Sequence, residues 1–434
     1  MTSAAATPPA GPTRRPTDWA SAEMRARIRR RYRSERLFRL VGLAALVLAA
    51  SFLAFLLFTI GRNGLTGFER TEVKVTVAFD PAVLNLRPEQ LTGPGAEAAL
   101  GAADFQTVLA NGVTNSLGPD GEGMISEGAW LTLRDMLAKR PDLLGMQADV
   151  WVPATSVVDQ LAKGRLDRAG RTVSADLLLR YDSLERRKLL RTGWNTAFLS
   201  VADSTDPELA GVWGALKGSL LTLAVTLSIC FPVGVLAAIY LEEYAPRNRW
   251  TDIIEVSINN LAAVPSIIFG LLGLAVFLNF MNLPRSAPIV GGLTLALMTM
   301  PVIVIAGRVA IKAVPPSIRD GALAVGASPV QVVFHHVLPL ALPGILTGTI
   351  IGMSRALGET APLLLIGMRA FVADVPAGVT QPATVLPVQI YLWSDEVARG
   401  FVEKTSAAII VLLMVLLLMN GLAIYLRNKF ERRW

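Results

Sequence analysis

The sequence predicts an all-α polytopic membrane protein with six transmembrane helices and one inserted extracytoplasmic domain, of α+β type. Three observations predict it. Hydrophobic residues make up 52% of the 434-residue chain and charged residues only 17%, against about 25% charged in soluble domains. The apolar residues are clumped into runs of about 20, the length that crosses a bilayer. One stretch, residues 62–210, instead carries 16 Lys/Arg and 20 Asp/Glu, an ordinary soluble composition.

Residues 1–39 form a basic tail with ten Lys/Arg and three Asp/Glu, which accounts for the whole +7 net charge. A short basic tail before an apolar run is a topology signal. A nucleic-acid footprint would be spread over a folded surface, so nucleic acid is not an expected partner. Cys230 is the single cysteine and His335 and His336 the only histidines. That excludes an intrachain disulfide and leaves too few ligands for a Cys- or His-built metal site. No lysine follows a glycine, so the chain lacks the Gly-Lys phosphate loop of ATP hydrolysis. Catalytic residues, cofactor and metal are all expected to be none.

The six runs are Leu40–Ile60, Ser219–Tyr240, Asn259–Phe280, Ile289–Ile311, Gly344–Ile366 and Ala407–Leu426. The first is too long for a signal-peptide core and reads as an uncleaved anchor, 40–60. Lys/Arg cluster beside alternate ends: the tail, Arg247 and Arg249, then Arg308, Lys312 and Arg319, and finally Arg427, Lys429, Arg432 and Arg433. By the positive-inside rule both termini face the cytoplasm. Residues 62–210 then lie outside it. Thr71–Phe79 alternates polar and apolar, predicting a half-buried strand. Leu177–Leu190 has a helical pattern, and the Gly/Ala-rich 93–123 reads as a loop. Pro265 and Pro301, inside the third and fourth runs, predict kinks.

The 313–343 connection runs Pro315-Pro-Ser-Ile-Arg-Asp-Gly-Ala-Leu-Ala-Val-Gly-Ala-Ser-Pro329. Ser317 with Asp320 three residues on predicts a capping box, and a helix of two or three turns would end near Gly326. A helix that short is unstable alone and must dock on something. Asp320-Gly-Ala322, Gly326-Ala-Ser328 and Leu338-Pro339 resemble the "EAA" loop of ABC-transporter permeases, with Asp320 and Gly321 replacing the usual Glu-Ala. Ser354-Arg-Ala-Leu-Gly-Glu-Thr-Ala-Pro-Leu-Leu364 resembles, more narrowly, the A-type permease of phosphate-specific importers. Ile239–Ala245, Val264–Gly270 and Thr384–Tyr391 agree with it.

The resemblance covers about 212–426 and implies a type I importer permease core of five helices, flanked by the cytoplasmic 427–434. It implies an inner-membrane phosphate-import subunit that is not itself an enzyme. Its implied partners are a second, C-type permease, two copies of a cytoplasmic ATPase and an extracytoplasmic phosphate-binding protein, all beside membrane lipid. Ser317, Asp320, Gly321, Ala322 and Gly326 would belong to the ATPase-coupling helix. Another oxyanion (phosphonate, sulfate, molybdate) is the alternative substrate. A membrane-anchored sensor is the rival from another class, and six spans count against it.

The fifth run supports a transport path independently. Arg355 stands near its middle, where an Arg costs about 2.5–3.5 kcal/mol on insertion scales. Glu359, four residues on, can pair with it. Guanidinium suits an oxyanion because its planar fork matches two oxygens. Gly344, Gly348, Gly352 and Ala356 form a smooth packing face, offset by about 100° from that stripe. Arg308 is a weaker path candidate, read first as a topology anchor.

Overall fold

A computed structural model describes residues 21–93, 95–119, 121–168 and 173–430. Residues 1–20 of the basic tail, and Arg432 and Arg433, lie outside them. α1 (Ala22–Gly64) is one helix of 43 residues. Over the expected anchor it exposes Phe52, Leu53, Phe55 and Phe58. Its few hydroxyls turn inward on their own backbone: Ser51 Oγ donates to Val47 O at 2.8 Å and Thr59 Oγ1 to Phe55 O at 2.9 Å. A polar group facing hydrocarbon needs such an internal partner.

The inserted domain opens with β1 (Glu69–Ala78), followed by α2 (Pro81–Leu84), α3 (Ala96–Ala102), α4 (Phe105–Leu117) and α5 (Trp130–Lys139). Then come β2 (Gln147–Pro153), α6 (Ser156–Ala162), α7 (Ala175–Arg186) and β3 (Leu190–Trp194). The strands form an antiparallel sheet of order β2-β1-β3, with Val73 opposite Val152 and Val75 opposite Val150. The alternation read at 71–79 is present: Val73, Val75, Val77 and Phe79 are fully buried beneath α4, α5 and α7. The 93–123 loop expectation is corrected, because α3 and α4 fall there. Asp104 caps α4 by accepting from Thr107 N, and Phe105, Val108, Leu109 and Val113 recur at helical spacing onto the core. The high Gly/Ala content masked that period, although Gly112 has a packing reason. A Cβ there would press within 3.1 Å of Thr76 O on β1. The helix expected over 177–190 ends at Arg186, and Leu190 already belongs to β3.

The membrane portion comprises α8 (Trp213–Ile239), extended by a π-helical turn Tyr240–Tyr244, then α9 (Arg249–Ala262) and α10 (Ser266–Gly273). α11 (Pro288–Lys312), α12 (Pro316–Ala324) and α13 (Pro329–Gln331) precede a π-helical segment Val332–Val337. α14 (Leu338–Gly358), α15 (Ala361–Leu365), α16 (Leu386–Ser394) and α17 (Gly400–Phe430) complete it. Among the described residues five helices are long and apolar enough to span, and six if one bent pair counts as a span. That pair corrects the third run: α9 and the helix from Ser266 to Phe280 meet at 101°. Pro265 lacks an N–H and pushes Val264 out of the helical region, so the proline breaks the run where a kink was expected. Pro301 does sit within an unbroken α11.

α11 is the centre of the bundle, against α8 on one side and α14 on the other. The packing face read from sequence meets it directly: a Cβ on Gly344 would come within 2.6 Å of Ala310 Cβ, one on Gly352 within 2.8 Å of Thr299 Cγ2, and one on Gly348 would overlap Ala306 Cβ. On the α8 side, Gly292 lies under Val225 in the same way.

A charged joint ties the inserted domain to α17. Lys163 Nζ, almost wholly buried, donates to Asp159 Oδ2 at 2.6 Å, Glu69 O at 2.9 Å and Glu403 Oε2 at 3.3 Å. Arg165 Nε lies 3.5 Å from Glu403 Oε1, and Lys404 Nζ donates to Gly67 O at 3.0 Å above the Phe198 ring. Glu208 is buried beside this joint. Burial, with Asp206 and Asp159 nearby, pushes its carboxyl from the ordinary 4.5 up to about 7.

This packing has two measurable consequences. Gly348→Ala should lower the thermal midpoint of the purified protein, corresponding to about 1–3 kcal/mol of overpacking; Gly421→Ala, where nothing lies within 4 Å, should leave it unchanged. The raised Glu208 value means the folded chain binds more protons than the unfolded one between about 4.5 and 7, so stability falls as pH rises through that window. Melting curves from pH 5 to 8 should show this fall, and Glu208→Gln should flatten it.

Candidate functional site

The fifth apolar run is not one helix. α14 stops at Gly358; Glu359 is extended (φ −74°, ψ 131°), and α15 begins at Ala361. Pro362 is the cause, since in a continuous helix its ring would strike the Gly358 carbonyl four residues back. Arg355 therefore stands in the last turn of α14, about 26 Å along the axis from Leu338, and not at mid-span. Its positive charge suits the negative end of the helix dipole. The pair with Glu359 forms, although through one contact only, Nε to Oε1 at 3.3 Å. The Arg355 side chain is 51% exposed, and its Nη1 and Nη2 make no hydrogen bond among the described residues. The two outer nitrogens of the fork remain open to a ligand. Behind it, Ser354 Oγ bonds Asn420 Oδ1 at 2.6 Å, fixing α14 to α17.

Arg308 is placed differently. Its Nη1 and Nη2 each lie 3.0 Å from an oxygen of Glu255 on α9, and its Nε 3.4 Å from Glu242. Its fork is filled by protein, so it offers no anion site.

α12 is the short helix expected in the 313–343 connection, and it ends at the expected place. Its start is corrected. Pro315 occupies the cap position and Ser317 lies inside the helix without capping it, because the Pro315-Pro316 pair already sets extended-then-helical backbone. The capping box belongs instead to Ser328 and Gln331. At the C-terminus Gly326 takes φ +89°. Its N–H bonds Leu323 O at 3.0 Å, and Ala327 N–H bonds Ala322 O at 3.1 Å, which is the Schellman closure that glycine permits. Ser317, Asp320, Gly321 and Gly326 face outward. Ala322 is buried against the Val332–Val337 segment, so it seats the helix. Leu323 and Val325 are exposed, Val325 by 85%.

Sequence reasoning missed the acids that hold this end together. Arg319, read only as a topology charge, grips Glu243: Nε to Oε1 at 3.1 Å and Nη2 to Oε1 at 2.6 Å. The signal was available in Tyr240-Leu-Glu-Glu-Tyr244, two adjacent acids at the end of an apolar run, where charges need partners.

Comparison with known proteins places these features. Residues 231–434 match the family described as "Binding-protein-dependent transport system inner membrane component", and residues 25–171 match a "Domain of unknown function (DUF3333)". The chain is 33% identical over 249 residues to phosphate transport system permease protein PstA 1 of Mycobacterium tuberculosis (strain H37Rv), covering 56% of this chain and 78% of that one. The chain belongs to the PstA-type binding-protein-dependent transport permeases. It is 29% identical over 247 residues to the probable ABC transporter permease protein YqgI of Bacillus subtilis (54% of this chain, 83% of that one). To phosphate transport system permease protein PstC 1 of the same M. tuberculosis strain it is 29% identical over 253 residues (51% and 74%). It is thus a multi-pass inner-membrane subunit without catalysis of its own, and ATP hydrolysis falls to a partner.

Gly326→Pro removes a donor and forces φ near −65° where +89° is needed. Amide exchange over 316–327 should quicken at least tenfold, whereas Gly326→Asn, which tolerates the left-handed region, should change it little.

Proposed function

We propose that this chain is the A-type permease of an ATP-driven importer of inorganic phosphate, paired with a C-type permease, two ATPase copies and an extracytoplasmic phosphate-binding protein. The observation that carries the reading is its 33% identity to a phosphate transport permease over 78% of that protein's length. Both termini face the cytoplasm and the inserted domain faces outward, as the Lys/Arg bias requires. α12 is the coupling helix: so short a helix is stable only when docked, and Leu323 and Val325 on its exposed side offer apolar surface to a partner's groove. Arg355 offers its open fork to phosphate. Glu359 competes for the guanidinium and keeps the anion from being held too tightly.

Uptake of labelled phosphate by a permease-deletion strain carrying this chain tests the assignment. Recovered uptake, undiminished by excess sulfate or molybdate, is expected; recovery only for another anion would overturn it. Within that assay Arg355→Gln should cut uptake at least tenfold with the complex still assembled, and Arg355→Lys should be impaired too. Glu359→Gln should slow transport while binding persists. A merely structural pair predicts the reverse pattern: each single variant lowers complex yield, and the double neutral variant restores both yield and uptake.

A further inference from the structure

Two consecutive acids in the π-helical turn after α8 point to two different elements. Glu242 takes Arg308 of α11, which also holds Glu255 of α9 through both outer nitrogens. Glu243 takes Arg319 of α12. Tyr240–Tyr244 is π-helical throughout, and the extra residue in such a turn changes the direction in which neighbouring side chains project, by comparison with a regular helix. Four elements thus meet at one charged knot.

Arg319 does more than pair. Its Nη1 donates to Val314 O at 2.7 Å and its Nη2 to Ile311 O at 3.0 Å. The Ile311 carbonyl is in the last turn of α11, where it also accepts from Val314 N–H at 3.2 Å, and the Val314 carbonyl lies just beyond the helix end. One guanidinium therefore closes α11, crosses the bend Ala313–Pro315, and clamps the Glu243 carboxylate. The Arg319 and Glu243 side chains are 22% and 12% exposed, sheltered enough for charge-assisted, forked bonding to be stiff. α12 has few other fixings on that side: Asp320, Gly321, Leu323 and Ala324 all face outward. Besides the apolar seat of Ala322 on the Val332–Val337 segment, Arg319 is the polar link that carries displacement of α12 to α8 and α11, whose close packing leaves little slack.

We infer that the Arg319–Glu243 clamp is the positioning element that transmits movement of the coupling helix to the pathway helices. This rests on the reading of α12 as the ATPase-docking helix. The guanidinium is required for its shape as well as its charge, since a lysine ammonium could meet Glu243 or a carbonyl but cannot span all three acceptors.

The test uses the whole transporter complex reconstituted in vesicles, with phosphate transported and ATP hydrolysed counted together. Arg319→Gln and Glu243→Gln should each lower the phosphate-to-ATP ratio at least tenfold, while the ATPase remains bound and hydrolysis stays within about twofold. Both changes remove one clamp, so the double variant should be no worse than the worse single. Arg319→Lys should give an intermediate ratio; if Arg319→Gln fails to assemble, that variant carries the test. Transport and hydrolysis falling in equal proportion, or a ratio unchanged in either single variant, would overturn the clamp. Val325→Glu tests the underlying reading apart from this. It should strip the ATPase from the complex, and an ATPase that stays bound would sink α12 as the docking helix without reference to Arg319.

Discussion

The close approach of α11 to α8 and α14 is the constraint on which the membrane portion depends. In hydrocarbon, apolar side chains gain nothing by leaving lipid for protein, so association rests on van der Waals contact and interhelical hydrogen bonds. Contact of that kind needs backbones brought near each other, and small residues at the seams achieve it. Gly348 lies against Ala306 and Gly292 against Val225. Thr226 Oγ1 adds a 3.2 Å bond to Gly292 O across the α8 seam. With α11 gripped on both sides, its two ends become fixed points. Arg319 closes one end; at the other, Ile289 N bonds Val379 O at 2.9 Å.

Fixed helices make the interruptions meaningful. α14 breaks after Gly358 and the α9–α10 pair turns through 101°, and the broken pieces pack together, with Gly270 of α10 lying against Pro362 of α15. Discontinuous helices in a membrane leave backbone groups free, and such breaks are tolerated where protein or a water-filled cavity surrounds them. Arg355 and Glu359 flank one of these breaks. Arg355 sits in the last turn of α14, where its positive charge meets the negative end of the helix dipole.

Much of this was legible in the residues. The six runs, the alternation of Thr71–Phe79, the small-residue face at Gly344, Gly348 and Gly352, and the stop at Gly326 each obey a local rule of period or backbone freedom. The features that were not legible depended on partners distant in sequence. Whether Pro265 kinks or breaks a run depends on the segment beyond it, and both outcomes obey the same steric rule. Arg308 looked like a topology charge because Glu242 and Glu255 are 66 and 53 residues away. Ser317 and Asp320 satisfy the capping pattern, but a proline pair had already set the helix start two residues earlier. The α3–α4 region failed for another reason: Ala and Gly blur the apolar period that reveals a helix.

The joint at α17 obeys the same logic on the other flank of the molecule. Asp159, Lys163 and Glu403 are nearly buried, and Lys163 meets two carboxylates and a carbonyl. A buried ion network adds little to stability relative to an apolar replacement, but losing one member strands the others at considerable cost. Its consequence is therefore specificity of placement. Asp159 also accepts from Thr71 N at 2.7 Å, so the network reaches the first residues of β1 as well as the start of α17. The inserted domain is held by its sheet to the same helix whose Asn420 bonds Ser354, next to Arg355. Two charged knots, Glu242–Glu243 at one end of the bundle and Lys163–Glu403 at the other, thus bracket the α11–α14–α17 stack, and Arg355 lies in the stretch of α14 between them.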